Sequence, residues 1–230
     1  MSTENQPNDP TQWMPLFPLP STVFFPSTDL PLHIFEPRYR QMIDEALEGD
    51  GKIGMVLLKP GWESNYNAKP EIAQIGCFGT IDRHTKFPDG KYNILLKGVS
   101  RFQIVKEFGG KPYRRAEIKL LKEENDEFII GDDRSEKIRL INHTQEFTNL
   151  LPDSRPEKID SVLKSCKLMS ELADHLAYQL DITVEQKQSF LEQQDVKKRV
   201  EFIHSMIQMK IDLLKMSKSQ MKKGFDVRLN

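Results

Sequence analysis

Residues 30–49, Leu30-Pro31-Leu32-His33-Ile34-Phe35-Glu36-Pro37-Arg38-Tyr39-Arg40-Gln41-Met42-Ile43-Asp44-Glu45-Ala46-Leu47-Glu48-Gly49, change period part-way along. Leu32 to Phe35 is a short apolar run between prolines, the pattern of a strand. Pro37 then suits a first helical position, because its φ is already fixed near the helical value, and Tyr39, Met42, Ile43, Ala46 and Leu47 return on one face until Gly49. Strand and helix therefore follow each other within one unit, and the helix is expected to pack across a sheet or barrel opening.

Outward from this stretch, Trp13 to about Leu121 is punctuated by Pro and Gly and built of short apolar runs, which predicts a mostly β half. The expected strands are Leu16–Phe17, Thr22–Phe25, Leu32–Phe35, Lys52–Leu58, Ile72–Arg83, Tyr92–Leu96, Arg101–Phe108 and Tyr113–Leu121. In the last of them Ala116, Ile118 and Leu120 alternate with Arg115, Glu117 and Lys119, so one face is buried and the other wet. Asp89-Gly90, between Phe87 and Tyr92, is a hairpin turn signal, since Gly accepts positive φ.

The second half adopts a helical period. Asp133 before Glu136, Ser154 before Glu157 and Thr183 before Gln186 resemble helix-start capping arrangements. Ile159, Val162, Cys166, Met169, Ala173, Leu176 and Leu180 are spaced alternately by three and four and form one core stripe. A long last helix follows from Val196, Val200, Ile203, Ile207, Ile211 and Leu214, widened by Phe202, Met206, Met209, Leu213 and Met216. Core packing is the expectation for Met206, Met209 and Met216, with an adaptable groove as the alternative. The expected division is a disordered tail at 1–12, a β subdomain at 13–123, a bundle of about four helices at 133–217 and a C-terminal extension at 218–230. The fold class is α+β, with one helix inserted in the β half and a linker near Glu123 to Asp133.

Composition excludes several classes. The 230 residues are 38% hydrophobic and 29% charged, with no apolar run of about 18 residues to cross a membrane. Met1 to Pro10 lacks the basic-then-apolar order of a secretory signal. Cys77 and Cys166 stand far apart without metal-ligand neighbours, which predicts free buried thiols and a cytoplasmic setting. Net charge is −1, yet residues 196–230 hold nine Lys or Arg against three acids. A solvated helix face is the favoured reading of that excess.

Chemistry-bearing motifs are missing from the sequence. Neither Gly51-Lys52-Ile53 nor Gly110-Lys111-Pro112 meets the needs of a phosphate-cradling Walker loop. No His-Glu-x-x-His helix, Cys-x-x-Cys or Gly-x-Ser-x-Gly elbow occurs, so neither metal nor cofactor is expected. His33 and Glu36 stand three apart, but a structural reading is preferred: Glu36 at a helix start pairing with Arg38 or Arg40, and His33 bonding across the sheet.

Three blocks carry a resemblance. Pro15-Leu16-Phe17-Pro18-Leu19, then Val23-Phe24-Phe25-Pro26, then Leu30 to Tyr39 look like the opening of the Lon N-terminal domain family. Ile75-Gly76-Cys77-Phe78-Gly79-Thr80-Ile81, leading to Asp89-Gly90 and Gly98-Val99-Ser100-Arg101-Phe102, agrees, as does Glu171-Leu172-Ala173-Asp174-His175-Leu176-Ala177. The resemblance covers roughly residues 13 to 215. It implies a PUA-like β pseudo-barrel followed by a C-terminal helical bundle, and a role in substrate recognition and hexamer assembly. In Lon proteases this region precedes an ATPase module and a Ser-Lys protease domain, neither of which is written here. The wording is closest to the stand-alone bacterial Lon-domain proteins, so a peptidase label would be inherited by name only.

The leading functional expectation is a non-catalytic module, without enzyme activity, that binds unfolded protein or peptide segments, with a protease or chaperone as a further partner. Trp62 and Tyr66, in the loop Gly61 to Tyr66, are its aromatic candidates, since large rigid aromatics dominate interfaces. The alternative for Trp62 is that it folds back over the barrel. His33, Arg38, Tyr39 and Arg83 complete the candidate peptide-binding set. RNA binding is a weaker alternative, because a chain of net charge −1 does not advertise a concentrated positive surface. A small-molecule pocket between barrel and bundle is another. Oligomeric state is not legible.

Overall fold

The long β half closes on itself. The computed structural model describes residues 11–65, 69–126, 135–151 and 166–226. Its strands are β1 Gln12–Leu19, β2 Asp29–Ile34, β3 Lys52–Leu57, β4 Ile75–Lys86, β5 Tyr92–Phe108 and β6 Arg114–Leu120. They run in the order β2-β5-β4-β3-β1-β6, and β6 also pairs with β5. Five strands thus form a ring without free edges, the most economical way to hide unpaired backbone groups. The pairing is antiparallel except between β1 and β3. This ring is the pseudo-barrel of the expected α+β fold.

Side-chain alternation fills it. Met14 and Leu16 of β1, Val56 of β3, Phe78 of β4, Phe102 and Ile104 of β5, and Ala116 and Ile118 of β6 pack in one buried cluster. Phe102 fits because Gly54 and Gly76 leave room: a Cβ on either would lie 3.0 or 2.8 Å from the ring's Cζ.

Two sequence expectations are corrected here. Tyr92–Leu96 and Arg101–Phe108 are one continuous strand, β5, which pairs with β2 over its first part and with β6 over its last. Thr22–Phe25 is not a strand. Val23, Phe24 and Phe25 are buried, but the segment runs between Pro20 and Pro26, which have no N–H to give a ladder. It is seated instead against β5: Ser27 N donates to Gly98 O at 3.0 Å, and Gly98 N to Thr28 O at 2.8 Å. A Cβ at Gly98 would lie 2.1 Å from Phe25 O, so the close approach requires glycine there.

Helix α1, Pro37–Glu48, buries Tyr39, Met42, Ile43 and Ala46, as its period predicts. Phe17 and Tyr39 meet with ring centroids 4.3 Å apart. Two carboxylates clip the helix to the strands. Asp44 accepts from Tyr92 Oη and from Lys86 Nζ at 2.7 Å. Glu45 accepts from Tyr113 Oη at 2.5 Å and Lys111 Nζ at 2.9 Å.

The chain divides into two compact units, the first taking residues up to 122 together with 178–194, the second 123–177 with 195 onward. Helix α4, Val184–Glu192, is therefore a part of the barrel unit rather than of a separate bundle. Its start is the Thr183–Gln186 capping box expected from the sequence. Gln188 Nε2 donates to Ile75 O at 3.0 Å, buried Arg101 Nε donates to Leu191 O at 2.9 Å, and Phe190 meets Phe25 edge-on at 5.7 Å.

The second unit takes α2 Ser135–Leu150, most of α3 Met169–Gln179, and α5 Val196–Asp226. The stripe of Cys166, Met169, Ala173, Leu176 and Leu180 is buried, but helix begins only at Met169. Glu171 Oε2 accepts from Lys167 N at 2.8 Å, and Asp126 Oδ1 accepts from Ser170 N at 3.0 Å. These bonds satisfy backbone donors at the helix start. Ile159 and Val162 of the stripe, and the caps at Asp133 and Ser154, lie outside the described residues. On α5, Val196, Val200, Ile203, Ile207 and Ile211 are buried as expected, whereas Met209, Leu213 and Met216 are exposed, which corrects the core assignment of Met209 and Met216. Arg199, wholly buried, holds Asp174 through Nη1 at 2.8 Å and Glu123 through Nη2. Cys77 and Cys166 are free and buried, and burial pushes the Cys166 thiol up to about 11. No helix among the described residues is long and apolar enough to cross a membrane.

Candidate functional site

Of the six residues singled out by sequence, the five that are described do not converge on one site. His33, exposed on β2, bonds through Nδ1 to Asn93 Oδ1 at 2.7 Å across the β2–β5 ladder. Arg83 is exposed on β4 beside Asp82, at 3.3 Å. Trp62, in a 3₁₀ turn Trp62–Asn65, is half-buried against the barrel core, so it covers the barrel instead of standing out as an anchor. Tyr66 lies outside the described residues. Arg38 and Tyr39 are brought together: the Arg38 guanidinium sits 4.6 Å above the Tyr39 ring and bonds Glu36 Oε2 at 2.9 Å.

Arg38 and Tyr39 open onto a cleft of about 240 Å³ on the barrel unit. It is assembled from five stretches of chain: the end of β1, the start of α1, Leu58 just after β3, the segment before β4, and the turn from β5 into β6. Arg38, Lys69, Lys111 and Arg114 supply four cations, and among the described residues no acidic one lines it. Tyr39, Phe108 and Tyr113, with Pro18, Pro70 and Pro112, make the walls apolar.

Carboxylates that do not line the cleft hold these cations in place. Glu107 Oε2 takes both Arg114 Nε, at 3.1 Å, and Lys69 Nζ, at 3.0 Å. Arg114 Nη1 also donates to Pro70 O at 2.7 Å. Lys111 is tied to Glu45, which is held down to about 2 by hydrogen bonds from Tyr113, Lys111 and Gln41. Tyr113 is pushed up to about 12, by burial first and then by Glu45. A phenol so far from neutrality moves no proton at ordinary pH, and among the described lining residues there is no Ser, Cys, His or carboxylate. Beside the cleft, Phe108 meets Trp13 at a tilt of 39° with centroids 4.2 Å apart, and Trp13 is 62% exposed.

The helical unit has its own polar cluster. His143 Nδ1 and His204 Nδ1 lie 3.0 Å apart, and His204 Nε2 bonds Glu136 Oε1 at 3.0 Å. The ring centroids are 5.2 Å apart and the planes only 27° from parallel, and His143 Nε2 reaches Gln208 Oε1 at 3.1 Å. Burial holds the His204 pKa below its ordinary value, against the pull of Glu136. A cavity of about 510 Å³ adjoins it, lined by Glu136, Arg139, Met169, Val196 and Val200 among others.

The family model described as the ATP-dependent protease La (LON) substrate-binding domain matches residues 13–209. The chain belongs to that family. Among curated relatives, the Lon protease of Dictyoglomus thermophilum is 25% identical over 213 residues, 93% of this chain and 26% of that protein. Lon protease 2 of Myxococcus xanthus is 26% identical over 209 residues, 91% of this chain and 25% of its own length. The chain thus spans about a quarter of the length of these relatives. Of solved structures, the N-terminal domain of the Mycobacterium avium complex Lon protease superposes with a TM-score of 0.64 at 18% identity, covering 86% of this chain and 98% of that one. The Lon N-terminal domain protein from Xanthomonas campestris gives 0.60 at 21% identity, covering 84% and 98%. At these identities the likeness establishes the fold.

Within this Lon substrate-binding domain, sequence reasoning found Arg38 and Tyr39 of the cleft and missed Lys69, Phe108, Lys111, Tyr113 and Arg114. No periodicity links those positions. One signal was available: Gly109-Gly110-Lys111-Pro112 reads as a turn carrying a cation beside aromatic Phe108 and Tyr113.

Proposed function

We propose that this chain is a non-catalytic protein-binding module that takes unstructured peptide segments into the cleft around Arg38, Tyr39, Phe108 and Arg114. The observation that carries the reading is the lining itself, with aromatic and proline walls, cations each held by a carboxylate and, among the described residues, no Ser, Cys, His or carboxylate. The family's description as a substrate-binding domain supports it. A segment with no fixed structure can present one side chain at a time, which suits a volume below the roughly 300 Å³ at which small-ligand pockets begin. Protein segments delivered to a protease or chaperone in the cytoplasm are the partners that fit this role.

The test is fluorescence anisotropy of the full chain against a library of labelled unstructured peptides, repeated with Phe108→Ala. Binding by the parent chain, weakened at least about tenfold in the variant, is the expected result, since a buried aromatic contact contributes at least ~1.4 kcal/mol. No binding by the parent chain to any peptide would remove the reading.

A further inference from the structure

Resting on the peptide-binding reading, the geometry points to a chemical class of segment. We infer that the cleft selects acidic segments, in which Asp or Glu flanks an aromatic or aliphatic residue.

The first argument is charge. In a chain of net charge −1, the cleft collects Arg38, Lys69, Lys111 and Arg114 from three separate stretches and, among the described residues, no acidic one lines it. Their partners, Glu36, Glu45 and Glu107, are not among the lining residues. The cations are therefore positioned before any ligand arrives. Little side-chain freedom remains to be lost when a ligand carboxylate approaches, which removes one of the main costs of binding. Charge-assisted hydrogen bonds from guanidinium and ammonium to carboxylate are roughly twice as strong as neutral ones. A peptide rich in Lys or Arg would instead meet like charges, which cost affinity and enforce discrimination.

The second argument is the apolar part. Tyr39, Phe108 and Tyr113 offer ring surface, and Trp13, in contact with Phe108, extends it. A ligand that satisfied only the cations would leave this surface wet. One that filled only the apolar volume would leave unanswered the one positive charge by which the four cations exceed Glu36, Glu45 and Glu107. A carboxylate next to an aromatic or aliphatic side chain satisfies both. A nucleic-acid strand fits less well, because it needs a long track of phosphate contacts, and about 240 Å³ admits one or two side chains.

The experiment measures anisotropy of the full chain with four labelled probes of equal length. Three are unstructured peptides with one central Phe flanked by Glu, by Gln or by Lys, and the fourth is a single-stranded RNA oligonucleotide. Expected is an acidic peptide bound about tenfold tighter than the neutral one, no binding of the basic one, and a preference that shrinks as salt rises from about 0.05 to 0.5 M. Lys69→Glu, at an exposed position, is expected to lower the acidic peptide's affinity about threefold to tenfold, and to lower it more than the neutral peptide's. A thermal melt confirms that the variant is folded. Equal binding of acidic and neutral peptides, or preference for the basic one, overturns the inference and leaves peptide binding standing. Tighter RNA binding that Lys69→Glu weakens overturns it in favour of a polyanion site. No peptide binding at all overturns the peptide reading itself.

Discussion

Arg199 and Asp174 form a wholly buried ion pair within the helical unit, at 2.8 Å, and Glu123 closes it from the other side. Removing one partner leaves a charge inside the protein with too little to balance it. Asp174→Ala is therefore expected to destabilise the chain by about 3–5 kcal/mol, measured by urea titration, whereas Asp174→Leu combined with Arg199→Met recovers most of the loss. A deficit of under about 1 kcal/mol for the single variant would show the pair to be peripheral. Gly76 makes a second case. A Cβ there would lie 2.4 Å from Met55 O and 2.8 Å from Phe102 Cζ, and the first of these is backbone that cannot swing away. Gly76→Ala is expected to lower stability by at least ~1–3 kcal/mol, seen as a reduced denaturation midpoint. Gly76, Phe102 and Asp174 all fall in the blocks that carry the family resemblance. Those blocks were legible because packing of this kind ties residue identity to place, and most of what they encode is the fold rather than the cleft.

Helix α1 is held by carboxylates whose ionisation the fold favours, which gives an acid-dependent term. Glu45 falls from 4.5 to about 2 on folding. A folded pKa below the unfolded one stabilises fully above the unfolded value, and the contribution is lost as pH falls from about 4.5 towards 2. The difference in melting temperature between the parent chain and Glu45→Gln is therefore expected to be present at pH 6 and to vanish near pH 2. A difference independent of pH would contradict the clip. In the helical unit, α2 and α5 meet through the His143–His204 contact. Since burial lowers the His204 pKa below 6.5, its neutral form stabilises above that pH, and stability falls as the pH drops through the lowered value. Relative to His204→Gln, the parent chain is expected to lose melting temperature as pH falls from about 7.5 to about 5; no such loss would contradict the shift. Elements of local period, such as α1, β6 and the Asp89-Gly90 hairpin, were readable. Thr22–Phe25 was not, because an apolar run between prolines looks the same whether it pairs or packs. Nor was the continuity of β5, since Gly98 reads as a break until Phe25 is seen lying against it.

At the scale of the molecule, a closed barrel makes a surface from residues that sequence keeps far apart. The α+β class followed from period and punctuation, and the barrel from the family resemblance. The cleft did not, because Arg38, Lys69 and the Lys111–Arg114 turn share neither spacing nor motif and meet only in the closed barrel unit. Trp62 and Met209 show the converse: an aromatic in a loop covers the barrel, while a methionine on an apolar helix face stands in water. The site is best examined by titrating the ¹⁵N-labelled full chain with an unstructured acidic peptide bearing one Phe and following backbone amide shifts. Expected is a saturable set of shifts centred on Arg38, Lys69, Lys111 and Arg114; shifts confined to the helical unit, or none at saturating peptide, would contradict the cleft as the binding site.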